Sequence, residues 1–328
     1  MEVKTSIARV PFRISFFGGG TDFQHWYVDN PTSVISTSIN LYSYVTVRTL
    51  LPLYDHKVRL RYYKREELQH ANMIEHPTAR NVLRLMKVQQ GIEIVHYADL
   101  PARSGVGSSS TFSVGLIHAV ANFKNIEYSR DDLASMATHV EQNMNKEIVG
   151  CQDQIAVAYG GFNQILFSRN GITVNPMNLD ADIQKCFENN LLLFFVGNLR
   201  NSSEILKEQI SKTDENSSNL RKISQISAES YDLFKAGELD EIGKLLNDSW
   251  KLKKGLSSQI TNAKIDEAYD AAIRSGAIGG KLLGAGAGGF LLIYAAQEHH
   301  EKISSVLSSL TEVKFAFENT GSTIITMR

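Results

Sequence analysis

The stretch Leu100-Pro-Ala-Arg-Ser-Gly-Val-Gly-Ser-Ser-Ser-Thr-Phe-Ser-Val-Gly-Leu116 has, in order, the features of a strand end, a glycine loop and a helix start. Residues 91–97, just before it, are mostly β-branched and aromatic, which predicts a short strand. Beyond Gly107, apolar side chains recur at helical spacing, which predicts a helix that begins near Ser108. The serines at this start are good helix caps.

The loop in this stretch is predicted to bind an anion. Gly105 and Gly107 allow the backbone to approach a ligand closely, and the N–H groups at the helix start then face that ligand. No acidic residue occurs between Asp99 and Glu127, while Arg103 adds a cation. A phosphate suits such a loop, and a tight turn without a ligand is the alternative.

Single positions distinguish this loop from two well-known phosphate loops. A Walker A loop requires a lysine directly after its last glycine, where Ser108 follows Gly107. The dinucleotide fingerprint requires a third glycine where Ser110 stands. We therefore expect a phosphate loop of a third type and disfavour a dehydrogenase.

The size and charge of the chain limit its organisation and its ligands. A chain of 328 residues exceeds the usual limit of one hydrophobic core, so we expect two domains with a boundary near residues 180–190. Lys+Arg number 34 and Asp+Glu 35, which gives no electrostatic reason to expect nucleic acid or an anionic membrane as partner. The expected partner is a small molecule, and the sequence leaves monomer and homodimer open.

The cysteines and the apolar runs predict a reduced, cytoplasmic protein. Cys151 and Cys186 lack paired spacing, and no apolar signal core or membrane-spanning run occurs in the sequence. The scattered histidines form no zinc-like cluster, so we expect no metal site made by protein side chains alone.

Two further segments offer groups that bind sugars or metals. Apolar side chains alternate with other residues over 10–16, which predicts a strand with one face towards the core and Arg13 on the opposite face. Three glycines end this strand, and Thr21-Asp22 then presents a hydroxyl and a carboxylate suited to sugar hydroxyls; a glycine bulge is the alternative. Glu141 lies at the edge of a predicted buried helical stripe, and we interpret it as either a site residue or a solvated surface residue. Asp153, in the turn that follows, is either a site residue or a helix cap.

The rest of the chain predicts an alternation of strands and helices. Paired strands are expected at 34–50 and 57–63 across the Pro52–Asp55 turn, and a hairpin at Asn170-Gly171. Helices are expected within 220–273, with Gly237 as a stop. The dense glycines of residues 276–289 predict close approach of backbone segments, and strands at 314–317 and 322–327 are expected to close the second domain.

Three glycine-rich segments in this order, with a carboxylate helix and an Asp-Gln turn after the second, resemble the GHMP small-molecule kinases. The segments are Pro11-Phe-Arg-Ile-Ser-Phe-Phe-Gly-Gly-Gly-Thr-Asp-Phe23, Asp99-Leu-Pro-Ala-Arg-Ser-Gly-Val-Gly-Ser-Ser-Ser110 and Lys281-Leu-Leu-Gly-Ala-Gly-Ala-Gly-Gly-Phe290. Within that superfamily they are most similar to the D-glycero-D-manno-heptose 7-phosphate kinases, which are sugar 1-kinases, and bacterial fucokinases share a similar first motif.

The resemblance implies a two-domain α+β fold, with a ribosomal-protein-like domain over residues 1–185 and a ferredoxin-like domain over 186–328. It implies that the central loop holds the phosphates of ATP, through Arg103, Ser104, Gly105, Val106, Gly107, Ser108, Ser109 and Ser110. It also implies that Ser109 and Glu141 hold Mg²⁺.

The same resemblance assigns the acceptor side of the site. Asp153 matches the acidic residue that faces the acceptor hydroxyl, and Arg13 matches its basic partner. The sugar-binding turn and the turn from the second domain would be formed by Gly19, Gly20, Thr21, Asp22, Gly286 and Ala287. Whether Asp153 acts as a base or orients the acceptor stays open.

One departure from the superfamily pattern bears on the substrate. Gly19-Gly20 replaces the Glu-His pair that galactokinases carry, which weakens galactose as substrate. A heptose 7-phosphate needs a second anion pocket, and the candidate cations are Arg103, Arg200, Lys254 and Lys281, with Arg200 the first choice because it precedes a serine-rich helix start. A fucokinase-like enzyme and a non-catalytic sugar or nucleotide sensor are the alternatives.

Overall fold

The computed structural model describes residues 3–197 and 203–325 as an α+β fold with two sheets. Its strands are β1 (Thr5–Phe17), β2 (Thr32–Thr49), β3 (Val58–Arg61), β4 (Arg65–Leu68), β5 (Ile92–Ala98), β6 (Phe162–Ser168), β7 (Gly171–Pro176), β8 (Leu191–Gly197), β9 (Gly279–Leu282), β10 (Gly289–Tyr294), β11 (Thr311–Glu312), β12 (Phe317–Glu318) and β13 (Thr323–Ile324). Its α-helices are α1 (Gln24–Tyr27), α2 (Pro77–Leu85), α3 (Ser108–Phe123), α4 (Arg130–Thr138), α5 (Gln152–Tyr159), α6 (Ala181–Asn189), α7 (Ser203–Ser211), α8 (Ser217–Ala236), α9 (Leu239–Lys254), α10 (Ala263–Arg274) and α11 (His300–Val306). A π-helical turn, His139–Met144, continues α4, and short 3₁₀ turns occur at Ala71–Met73 and Gln297–His299.

The long strand β2 organises the first sheet. β1 runs antiparallel along one edge of β2, whereas the other edge pairs with β6 in its first half and with β5 in its second half. Helix α3 packs against β1 and β2 with its apolar stripe, as the periodicity predicts. The hairpin at Asn170-Gly171 is confirmed, because Ser168 pairs with Gly171.

The predicted pairing of the second and third strands is wrong. β5 lies between them, and β3 pairs in parallel with β5 and antiparallel with β4. This arrangement places Val58 opposite Ile92 in the buried core of the sheet. Ile92 and Ile94 of β5 are fully buried, so β5 occupies the central position that a direct β2–β3 hairpin would close.

The second sheet has the strand order β11-β8-β10-β9, with every neighbour antiparallel. Helices α7 to α10 connect β8 to β9, and α11 connects β10 to β11. This βαββαβ order is the ferredoxin-like arrangement, as the resemblance implies. Gly237 ends α8 in the left-handed region, at φ 75°, as expected of a helix stop.

The last strands do not close the second domain, contrary to expectation. β12 pairs with β2 at Ile39, and β13 pairs with β1 at Ala8, so the chain returns to the first sheet after β11. A core of aromatic rings explains this return, since Phe317 packs against Phe162 and Phe187 in a cluster that contains residues of both sheets. The division of the chain at residues 185 and 186 stays a prediction.

Across the described ranges, no helix combines the length and the apolar character needed to cross a bilayer.

Candidate functional site

A cleft lies where the two sheets meet, and it collects most of the residues predicted for the site. Those that line it are Arg13, Gly19, Gly20, Asp22, Arg103, Gly105, Gly107, Ser108, Ser109, Ser110, Glu141, Asp153, Lys281 and Gly286.

The central glycine loop forms one wall of the cleft. Helix α3 begins at Ser108, as predicted, but its N-cap is Gly107 at φ 82°, without a side-chain hydrogen bond. The expectation of a serine cap is therefore wrong, because Ser108 Oγ accepts from the N–H of Arg103 (2.9 Å) instead. The first N–H groups of α3 therefore have no side-chain cap, and they can donate to an anion bound at this end of the helix.

The glycines of the β9–β10 turn lie directly against this loop. A Cβ on Gly105 would lie 2.5 Å from the carbonyl oxygen of Leu283, and a Cβ on Gly284 would clash with Gly105. A Cβ on Gly289 would clash with the backbone of Ser104. The predicted close approach of backbone segments is confirmed, and it joins the second sheet to the loop.

Arg13 and Asp153 form a bidentate ion pair beside the loop. Arg13 donates from Nε to Asp153 Oδ1 (2.8 Å) and from Nη2 to Oδ2 (2.7 Å), while its Nη1 donates to the carbonyl oxygen of Gly105 (2.7 Å). The Arg13 side chain is 4% exposed and that of Asp153 is 28% exposed, so the carboxylate still reaches the cleft. Cys151 is the N-cap of α5, so Asp153 is not a cap.

Glu141 is buried at the inner end of the cleft, not on the surface. It lies in the π-helical turn, an irregularity often found at functional sites, and it is 1% exposed. Burial raises the pKa of this carboxyl to about 7. Its Oε2 accepts from Gln154 Nε2 (2.7 Å) and from Ser110 Oγ (3.3 Å).

The oxygens around Glu141 fit a magnesium ion. Glu141 Oε1 and Gln154 Oε1 are buried without a hydrogen-bond partner among the described residues, and the Ser109 hydroxyl borders the same cleft. Unpaired buried acceptors of this kind are costly unless a ligand meets them. Mg²⁺ prefers oxygen ligands and usually takes only one or two carboxylates, with phosphate and water completing its shell. Residues 3–197 and 203–325 contain no group of three or more His, Cys, Asp or Glu that could hold a metal ion.

Asp22 holds the glycine turn after β1 against the start of α5. Its carboxylate accepts from the backbone N–H of Gln152 (3.2 Å) and from Gln152 Nε2 (2.9 Å). Burial, with the nearby charge of Asp153, raises its pKa. Gly150 is required here, because a Cβ at that position would clash with the Asp22 carboxylate.

Several predicted site residues lie elsewhere. Four of them, Thr21, Ser104, Val106 and Ala287, are buried and lie outside the cleft lining. Lys254 also lies outside the lining and pairs with Asp266 (3.1 Å). Arg200 falls outside the described residues.

The predicted site residues omit five polar residues of the lining, which are Ser15, Gln152, Gln154, Gln209 and Lys253. Gln152 and Gln154 flank Asp153, and their spacing on a helix start could have indicated them. Lys253 could not have been found, because in the run 251–254 it resembles an ordinary cation at a helix C-terminus.

Comparisons with known proteins agree with this architecture. Residues 72–161 match the family model for the GHMP kinases N terminal domain, and residues 230–313 match that for the GHMP kinases C terminal domain, together more than half of the chain. D-glycero-alpha-D-manno-heptose 7-phosphate kinase of Campylobacter jejuni is 28% identical over 305 residues, which cover 89% of this chain and 90% of that protein. The bifunctional fucokinase/GDP-fucose pyrophosphorylase of Arabidopsis thaliana is 24% identical, over 89% of this chain and 30% of that protein.

Solved structures show the same fold. A D-glycero-D-manno-heptose 1-phosphate kinase from Bacteroides thetaiotaomicron superposes with a TM-score of 0.80 at 22% identity, over 98% of this chain and 99% of that one. A putative sugar kinase from Campylobacter jejuni superposes with a TM-score of 0.76 at 25% identity, over 98% of each chain.

Proposed function

The chain belongs to the GHMP kinases and is a phosphotransferase that acts on a sugar hydroxyl, and on that premise we propose that it transfers the γ-phosphoryl group of ATP to the anomeric hydroxyl of D-glycero-D-manno-heptose 7-phosphate. The observation that carries the proposal is the Arg13–Asp153 pair, which sets a carboxylate beside the glycine loop. Similarity over nearly the whole chain to a heptose 7-phosphate kinase supports the choice of sugar.

In the proposed mechanism, backbone N–H groups at the start of α3 bind the phosphates of ATP. The anomeric oxygen attacks the γ-phosphorus, the bond from that phosphorus to the bridging oxygen breaks, and ADP leaves. Asp153 takes the proton of the attacking hydroxyl, and Arg13 fixes the orientation of the carboxylate. Mg²⁺, when bound, would neutralise charge on the phosphate oxygens, and Glu141 with Ser109 would hold it.

The acceptor is tested by a coupled assay of ADP release over a matched panel of sugars. Heptose 7-phosphate, unphosphorylated heptose, mannose, mannose 6-phosphate and fucose are compared at equal concentrations. We expect the highest kcat/KM on heptose 7-phosphate, because a terminal phosphate adds charge-assisted hydrogen bonds. Equal or better activity on fucose or mannose would remove the heptose 7-phosphate assignment and leave a sugar kinase of another specificity.

The nucleotide site is tested by replacing Gly107 with Val. Gly107 has φ 82° at the N-cap, and a side chain there would lie against Arg13 and Val157, in the space next to the loop. We expect ATP binding, measured by isothermal titration calorimetry, to be lost. Gly91→Val is the control, since Gly91 has φ 74° with nothing within 4 Å of a Cβ and lies outside the cleft lining. Unchanged ATP affinity in the Gly107 variant would overturn the proposed phosphate site.

A further inference from the structure

Lys253 brings a buried ammonium group into the cleft from the end of α9. It is 8% exposed, and its Nζ donates to the carbonyl oxygen of Leu282 (3.3 Å) and to that of Gly284. An ammonium group has three donors, so these two bonds leave one for a ligand in the cleft.

The charge of Lys253 has no acidic partner at ion-pair distance in the described parts of the chain. Other charged residues that line the same cleft as Lys253 include Arg13, Lys281, Asp153 and Asp22. The Arg13–Asp153 charges already offset each other, and Lys281 is a second buried lysine, whose Nζ donates to the carbonyl oxygen of Phe16 (2.6 Å). Burial and Lys253 lower the pKa of Lys281 well below its usual value. Buried cations that repel one another are costly until an anion joins them.

Backbone contacts connect Lys253 to the glycine loop and to Arg13. Gly284, which accepts from Lys253, packs against Gly105, and Gly105 in turn accepts from Arg13. Lys253, at the end of α9, therefore lies beside the contact between the β9–β10 turn and the glycine loop, and it lines the same cleft as Asp153. The loop itself contains no lysine, unlike a Walker A loop.

We infer that Lys253 is a catalytic residue that contacts the transferred phosphoryl group and supplies the positive charge that the glycine loop lacks. This inference rests on the proposed kinase function. A phosphate on the far end of the sugar has the same chemistry, but Lys253 donates to Gly284, which packs directly against Gly105 of the proposed ATP-phosphate loop. Burial and Arg13 lower the pKa of Lys253 to about 8, which is consistent with a desolvated position in the cleft.

The first test measures binding of ATP and of ADP by calorimetry, which requires no acceptor sugar. In Lys253→Met we expect the affinity for ATP to fall about tenfold more than that for ADP, because only ATP carries the γ-phosphate. Lys254→Met is the matched control: it removes the next lysine of the same helix, which pairs with Asp266 outside the cleft lining. We expect it to change both affinities equally or not at all.

The second test measures turnover on whichever sugar the wild-type protein accepts. We expect kcat of Lys253→Met to fall about 10²- to 10³-fold, the usual cost of losing one group that stabilises transition-state charge. Lys253→Gln is measured beside it, since its amide can still donate to a backbone carbonyl, and thermal unfolding identifies which variants are folded.

The outcomes separate this inference from the proposed function. An equal loss of ATP and ADP affinity in a folded variant, or a raised KM for a sugar phosphate with kcat unchanged, would overturn the role of Lys253. A selective loss of ATP affinity, with a wild-type protein inactive on every sugar of the panel, would support Lys253 and overturn the proposed acceptor.

Discussion

Replacing Asp153 with Asn is expected to lower kcat by about 10²- to 10⁴-fold, while ATP affinity stays within about threefold of wild type. Asn has nearly the same shape, but its amide cannot accept the proton of the attacking hydroxyl. The Asp153 carboxylate lines the cleft from α5, whereas the N–H groups proposed to hold ATP belong to α3. The effect should therefore appear in turnover, measured by the coupled assay, and not in nucleotide binding, measured by calorimetry.

A control must separate this chemistry from the loss of an ion pair. Arg13 is 4% exposed, so weakening its pairing with Asp153 will also lower stability, which thermal unfolding will measure. Asp266→Asn removes the carboxylate of an ion pair outside the cleft lining and should leave kcat unchanged. A fall in kcat of less than about tenfold for Asp153→Asn would assign Asp153 to orientation of the acceptor instead of proton transfer.

Replacing Glu141 with Gln is expected to lower kcat at least about 10²-fold and to raise the Mg²⁺ concentration needed for half-maximal activity. The carboxylate supplies charge that an amide does not, and Mg²⁺ depends on charged oxygen ligands. Turnover across a Mg²⁺ titration measures both effects. Glu229→Gln is the control, because Glu229 is exposed on α8 and lies outside the cleft lining. Equal Mg²⁺ dependence in wild type and Glu141→Gln would contradict the proposed metal site.

The same variant should be more stable than wild type in the absence of metal. Burial raises the pKa of Glu141 from 4.5 to about 7, so the folded state holds this proton more tightly than the unfolded state. The stabilisation that this proton provides is complete below pH 4.5 and is lost as pH rises through about 7. With EDTA present, the melting temperature of Glu141→Gln should therefore exceed that of wild type more at pH 8 than at pH 5. A difference independent of pH would contradict the buried, ionisable state of Glu141.

Local patterns in the sequence determined most of the individual elements. The helix from Ser108, the strand that carries Arg13 and the Asn170-Gly171 hairpin were all predictable, because each depends on side-chain periodicity and on turn residues within one short segment. The dense glycines of residues 276–289 also predicted a close approach of backbone segments, but the segment that they approach is known only from the structure.

The tertiary structure alone decided which segments are neighbours. No local signal places β5 between β2 and β3, or returns β12 and β13 to the first sheet, because strand pairing between distant segments depends on the whole core that they share. The same limit applies within the site. Lys253 and Lys254 are adjacent and chemically identical in the sequence, yet only the packing of α9 against the β9–β10 turn buries the first in the cleft and leaves the second to pair with Asp266, because helix geometry directs consecutive side chains to different faces.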